Sequence, residues 1–394
     1  MALAALIAAY HESAEPGVLR ATLPLAGRTV VERQARLAAA AGAAPIVVLV
    51  ERVPPGLAAA LDRLRRERVP IVVARTAEEA AAAVDANDRL LLVADGAVVD
   101  VGQLHRVATA DGAAVLTVPD GGYGEPYERI DAVSRWAGLA VVDGALFVET
   151  AAMLRDWDMQ STLLRRALQS GARHVAADGP VAILDAQGDL ALLERQILAV
   201  ADGAGGSWAE RALAPIERLA THALMAAPVR PQAIGLAAAL LTGLGAAAFA
   251  WGWLATGLAL ILLATPLDGV AARLARLRMQ DDIGRSWWCY LLPLFAAAAL
   301  VALAYSLTPA HGWAMVLLAF TTFAFLAALA IEKEGRKLRG GALLAEPKGM
   351  AWLMLPFAPF GLWNAGMALL FAYAAGSFFW AQHQVHARTA PPQD

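Results

Sequence analysis

Cysteine is almost absent: Cys289 stands alone among 394 residues, which excludes an internal disulfide and a cysteine-rich zinc site. Charge is scarce too. Only 17% of residues are charged while 59% are hydrophobic, and the formal net charge is −3, so the basic face that neutralises nucleic-acid phosphates is missing. Nucleic acid is therefore not an expected partner. The first apolar segment, "ALAALIAAY", has no basic residue ahead of it. It lacks the n-region of a secretory signal and reads as a buried strand.

The hydrophobic residues are unevenly spread. Residues 1–200 alternate short apolar runs, "APIVVLVE", "PIVVAR", "RLLLVADG" and "AAVLTVPD", with Ala-rich stretches such as Val31 to Gly42 and Gly56 to Arg68 that have helical spacing. Unbroken apolar runs of this length are expected of parallel strands covered on both faces. The pattern predicts an α/β domain with a mostly parallel sheet and helices on both sides. Ligands of such sheets sit at the carboxyl ends of the strands, which directs attention to "VADG" at Val93 to Gly96. Arg165 and Arg166 read as a solvated helix face. Residues 201–230 combine a glycine-rich linker, "ADGAGGSW", with an amphipathic segment, "WAERALAPIERLATHALM", expected to lie along a membrane surface.

Residues 231–386 carry apolar runs at about 233–251, 253–272, 287–307, 311–331, 347–361 and 363–384, which predict an all-α membrane domain of six transmembrane helices. A short disordered tail, 387–394, is expected after them. Arg273, Arg276, Arg278 and Arg285 lie between runs two and three, and Lys333, Arg336, Lys337, Arg339 and Lys348 between runs four and five. The opposite connections carry no Lys or Arg. The positive-inside rule then places both termini and the α/β domain on the cytoplasmic side of a cell inner (plasma) membrane.

Two resemblances follow from particular residues. "TLPLAGRTVVERQARLAAAAGA" together with "LLLVADGAVVD" resembles the nucleotidyltransferase fold of sugar-phosphate and alcohol-phosphate cytidylyltransferases. The resemblance implies that Asp95 is a nucleotide-binding residue through Mg²⁺. The family's glycine-rich basic loop is replaced by "YHESAEPGVLRAT", and Leu23 stands where the family has lysine.

The second stretch is "LDGVAARLARLRMQDDIGRSWWCYLLP", Leu267 to Pro293. With the six runs, the preceding amphipathic segment and "PVRPQAIGL" at the first run, it resembles the CDP-alcohol phosphotransferase family. That family's signature is D-x-x-D-G-x-x-A-R, a spacer, then G-x-x-x-D-x-x-x-D. In register, Asp268 takes the first aspartate, Ala275 and Arg276 the Ala-Arg pair, and Gly284 the later glycine. Ala271, Ala272, Trp288 and Leu292 fall where the family has Asp, Gly, Asp and Asp.

The resemblance implies transfer of a phospho-alcohol from a CDP-alcohol with release of CMP, in phospholipid or inositol-lipid synthesis. It makes Asp268 and Arg276 the catalytic candidates and Asp268, Ala275, Arg276 and Gly284 the nucleotide-binding set. Mg²⁺ or Mn²⁺ would be held by Asp268, with Asp281 and Asp282 as replacement ligands. It also implies a membrane-lipid acceptor and a homodimer formed through the membrane domain. An acid near hydrocarbon must be paired or face a polar interior, so Asp268 is expected to face inward with Arg273 or Arg276 as its partner. Three readings stay open: a divergent transferase, a non-catalytic relative that binds lipid or nucleotide or scaffolds a lipid-synthesis partner, and a transporter-like bundle. The last is disfavoured because the polar residues gather at the cytoplasmic ends of the runs.

Overall fold

A computed structural model describes residues 2–122, 127–153, 158–185, 193, 207–225, 227, 229–278, 288–333 and 340–389. Asp281, Asp282 and Gly284, the glycine-rich linker at 201–206 and the end of the tail at 390–394 lie outside the described residues. The chain divides into two compact units, Met1–Ile197 and Leu198–Asp394.

The first unit is built on seven strands: β1 Leu3–Ala8, β2 Ile46–Leu49, β3 Ile71–Ala74, β4 Arg89–Val93, β5 Ala114–Pro119, β6 Ser134–Asp143 and β7 Arg173–Ala176. They lie in the order β7-β5-β6-β4-β1-β2-β3. β1 pairs in parallel with both β2 and β4, so their carboxyl ends open on one edge. That edge continues into Tyr10 and His11 after β1 and into Asp95 after β4. Strand β6 runs antiparallel to β4 and β5, which makes the sheet mixed. It was not legible as a strand because Arg135 and Gly138 interrupt its apolar run.

The helices of this unit are α1 Val30–Ala40, α2 Pro55–Arg66, α3 Ala77–Ala82, α4 Val101–Ala108, α5 Gly144–Met153 and α6 Met159–Gln169. Helix α1 carries Glu32, a fully buried acid. Arg63 donates to both of its oxygens at 2.9 Å, and the Thr29 amide and hydroxyl each donate to Oε2 at 2.9 Å. Burial pushes the Glu32 carboxyl up, but the hydrogen bonds from Arg63 and Thr29 and the Arg63 charge together bring it down to about 2. This arrangement joins α1 to α2 with an acid whose charge is satisfied within the chain.

The second unit is helical: α7 Trp208–Met225, α8 Pro231–Ala250, α9 Leu254–Leu277, α10 Trp288–His311, α11 Ala314–Lys333, α12 Pro347–Met354 and α13 Trp363–Thr389. Four stretches are long and apolar enough to cross a membrane: α8, α9, Leu291–His311 within α10, and α11. This identifies a membrane protein. The six expected spans are not all present in that form among the described residues. The fifth run yields α12, eight residues and so about 12 Å of helix, against a hydrocarbon core of roughly 30 Å. Pro356 and Pro359 stop it, since proline cannot supply the backbone donor and disfavours helix in the preceding residue. Helix α13 has 27 residues but carries Asn364, Ser377, Gln382, His383, Gln384 and His386.

Helices α8 and α9 approach at backbone distance. A Cβ on Gly257 would lie 2.5 Å from the Phe249 ring and 2.9 Å from the Gly245 carbonyl, the small-residue contact that lets membrane helices pack closely. The shared apolar core includes Phe249, Leu258, Leu303, Met350, Met354, Met367 and Leu370. A cavity of about 340 Å³ lies among these helices, lined almost wholly by apolar side chains that include Phe249, Ile261, Leu303, Pro347 and Met350. The amphipathic segment expected before the first span is α7. Its buried stripe contains Leu213, Glu217, Thr221 and Met225, while Ile216 and Leu219 are exposed.

Candidate functional site

Each unit holds one of the two aspartates singled out from sequence, and the two are treated differently by their surroundings. In the first unit Asp95 follows β4 and is 1% exposed. Its Oδ2 accepts from the backbone amides of Tyr10 at 2.8 Å and His11 at 2.7 Å, and its own amide donates to Gln160 Oε1 at 2.9 Å. Asp95 Oδ1 and His11 Nδ1 are buried and have no hydrogen-bond partner among the described residues. The His11 ring lies 3.7 Å from Asp95 Oδ2, an ion-pair separation rather than a hydrogen bond. The interaction with Asp95 raises the His11 pKa above its usual value, with burial working against it.

Helix α6 begins beside these groups because Asp158 caps it, accepting from the Ser161 amide at 3.0 Å. The Tyr10 hydroxyl donates to Asp158 Oδ1. Burial and the adjacent Asp158 charge raise the Tyr10 pKa far above its ordinary value. Burial raises Asp158 as well, but the hydrogen bonds from Tyr10 and Ser161 outweigh it and leave the carboxyl below its usual range. The pair is therefore a neutral phenol on an ionised carboxylate. Ser161 Oγ donates to Glu128 Oε2 at 2.9 Å. Around these groups is a cavity of about 250 Å³, lined by His11, Arg20, Asp95, Glu128, Trp136, Asp158, Gln160 and Ser161 among others.

The basic residues at this cavity are paired with acids. Arg20 is held on Asp185, with Nε 2.8 Å from Oδ1, and Arg165 reaches Glu128 at 3.8 Å. Leu23 is fully buried in the core. Sequence reasoning identified Asp95 but missed Tyr10, His11, Glu128 and Asp158. The signal available for two of them was "YH" directly after an apolar strand.

In the second unit Asp268 lies in α9 and is part-buried. Its partner is neither Arg273 nor Arg276, which corrects the expected pairing. Lys348 Nζ, from α12, sits 2.7 Å from Asp268 Oδ2, with side-chain exposures of 19% and 23%. Arg273 is instead spent on Glu217 of α7, with Nε 3.0 Å from Oε2 and both side chains buried. A Cβ on Gly269 would lie 1.9 Å from Glu217 Oε1, so only glycine next to Asp268 allows Glu217 to lie against α9. Arg278 closes the same helix pair from below, donating to the carbonyls of Leu224, Met225, Ala227 and Val229 at the end of α7.

Of the signature positions, Ala275 is buried and Arg276 exposed on the last turn of α9. Gly284, Asp281 and Asp282 are outside the described residues, so replacement ligands at Asp281 and Asp282 have no geometry here. Among the described residues, those around Asp268 supply too few oxygen ligands to fit the implied divalent metals. Mg²⁺ requires several oxygen ligands in near-octahedral array. Asp268 offers one carboxylate already held by an ammonium, and Ala271 contributes no donor. Among the described residues no three carboxylate, His or Cys side chains converge as a metal-binding group. Lys348 and Glu217 were not foreseen as site residues. Lys348 was legible only as a topology charge, and Glu217 only as the polar side of an amphipathic helix.

No protein-family model matches the chain, and no curated protein matches it.

Proposed function

We propose that this chain is a membrane-embedded relative of the CDP-alcohol phosphotransferases that binds a membrane lipid without carrying out metal-dependent transfer. The observation that carries this reading is Lys348 Nζ on Asp268 Oδ2 at 2.7 Å. A side-chain cation stands against the carboxylate that the resemblance would give to a divalent ion. A two-metal clamp on a pyrophosphate needs paired carboxylates on both sides of the metals. The pairs left here are Asp268 with Lys348 and Glu217 with Arg273, each already neutral within the chain.

The apolar cavity supports the lipid part of the reading. It lies among the candidate spans, and Pro347 and Met350, on either side of Lys348 in α12, line it. An acyl chain in the cavity would bring its headgroup near the Lys348 and Asp268 pair, and the protein would act as a lipid-holding or scaffolding member of phospholipid or inositol-lipid synthesis. Four candidate spans among the described residues support a multi-pass membrane part, and the six-span layout itself rests on the resemblance. The Lys and Arg distribution supports cytoplasmic termini in an inner membrane, and the resemblance supports a homodimer. If Asp281 and Asp282 complete a metal site, the chain is instead a divergent transferase that takes a CDP-alcohol.

Mass spectrometry of lipid retained by the detergent-purified protein tests this reading. Phospholipid is expected at near one copy per chain in the wild type and reduced in Ala299→Phe, which places a ring in the cavity. Equal retention by both proteins, or none by the wild type, would overturn the assignment of the cavity.

A further inference from the structure

The crevice of the first unit raises a separate question that does not depend on the lipid reading. A buried carboxylate oxygen without a partner is costly, and such groups are uncommon in folded proteins. Asp95 is 1% exposed, its Oδ1 has no partner among the described residues, and it lines a cavity. His11 Nδ1, on the same wall, is also unpartnered. Asp95 Oδ2 is occupied by two backbone amides, which fixes the carboxylate and leaves Oδ1 as the acceptor not used by the fold.

Charge decides the kind of ligand. Asp95, Glu128 and Asp158 bring three carboxylates to the lining, against Arg20 and His11, and Arg165, which is not in the lining, reaches Glu128 at 3.8 Å. Arg20 is already paired with Asp185. The wall is anionic with His11 either neutral or charged, so it repels phosphate and attracts a cation. At about 250 Å³ the cavity is also below the roughly 300–1,000 Å³ of sites that enclose drug-sized molecules. A nucleoside triphosphate is mismatched in both charge and size.

We propose that this crevice binds a small primary ammonium ion of the aminoalcohol class. A primary ammonium presents three N–H donors, one of them suited to Asp95 Oδ1, while the Glu128 and Asp158 carboxylates of the same lining add negative charge. An adjacent hydroxyl on the ligand supplies the missing partner of His11 Nδ1. A quaternary ammonium has no N–H to give Asp95 and is held by aromatic cages, whereas among the described residues Trp136 is the one large aromatic side chain lining the cavity. A bare divalent ion demands a closer, near-octahedral array of oxygen ligands, and among the described residues no such metal-binding group is found.

Calorimetric titration of the full-length protein in detergent, with 2-aminoethanol, tetramethylammonium, Mn²⁺, and CTP with Mg²⁺ added separately, tests the assignment. Saturable binding is expected for 2-aminoethanol alone. Asp95→Asn should abolish it while the amide oxygen still accepts from Tyr10 and His11. Glu128→Gln, which keeps an acceptor for Ser161 Oγ and removes one negative charge from the lining, should weaken it about tenfold, and decides the matter if Asp95→Asn fails to fold. Absence of saturable 2-aminoethanol binding, unchanged affinity in the folded variants, or Mn²⁺ or CTP binding that Asp95→Asn removes would overturn the proposal. So would tetramethylammonium binding as well as 2-aminoethanol.

Discussion

Asp95 and Asp268 occupy comparable positions in their units, each a single acid kept where a resemblance places a metal-binding carboxylate, yet their surroundings leave them in opposite states. Asp268 is closed by Lys348, and beside it Glu217 is closed by Arg273. Asp95 is rigidly held through one oxygen and open through the other. An acid whose counter-charge comes from its own chain contributes to folding, whereas an acid with an unmatched buried oxygen beside a cavity is a candidate for binding. Position in a motif does not separate these cases. Partner atoms do.

The largest effect that would break this comparison belongs to the most buried pair of the helical unit. Arg273→Ala leaves Glu217 buried without that cation, which costs roughly 3–5 kcal/mol. Thermal unfolding in detergent should show a large fall in Tm, with faster amide exchange in α7. A loss below about 1 kcal/mol would mean that solvent or lipid, rather than the chain, satisfies these acids.

Glu32 gives the reference for a fully closed acid in the same unit as Asp95. Its folded pKa of about 2 is below the ordinary 4.5, so the unfolded chain takes up its proton first as pH falls. The stabilisation is complete above about pH 4.5 and is lost as pH drops toward 2, about 3 kcal/mol in all at 1.36 kcal/mol per unit. Unfolding free energy measured against pH should therefore lose part of its acid limb in Glu32→Gln.

Lys348→Met should cost about 2 kcal/mol, between exposed pairs at roughly 0–1 and buried pairs at roughly 3–5. The double variant with Asp268→Asn should recover about 1 kcal/mol of the summed losses, measured as the coupling in a double-mutant cycle. Zero coupling would leave Asp268 open and remove the contrast with Asp95. The smallest effect is expected at Asp95 itself. Asp95→Asn keeps an acceptor for both amides and should change stability by less than about 1 kcal/mol, while removing the ligand response of the crevice.

Much of the α/β unit was legible because buried parallel strands leave unmistakable apolar runs: Leu3–Ala8, Ile46–Leu49, Ile71–Ala74, Arg89–Val93 and Ala114–Pro119 are each read directly. Ser134–Asp143 was not, since an antiparallel strand with arginine and glycine in it has no such run. Four spans were legible for the same reason, while the fifth run has an apolar composition but prolines that stop its helix at Met354. The sites were legible only as single residues. Asp95 and Asp268 could be located from the strand end and the α9 pattern, but Lys348, Glu217, Asp158 and Glu128 come from distant segments. Nothing in local spacing tells which cation will meet which acid once the chain is packed.

Lys348 is the cation at Asp268, and on the reading proposed above the bundle does not carry out metal-dependent transfer. CMP release by the purified full-length protein, measured over a panel of CDP-alcohols with Mg²⁺ or Mn²⁺ and lipid acceptors, is the direct test. No release above background is expected from the wild type, and none from Asp268→Asn. Robust metal-dependent release by the wild type, lost in Asp268→Asn at unchanged stability, would contradict that reading and make Asp268 a working metal ligand.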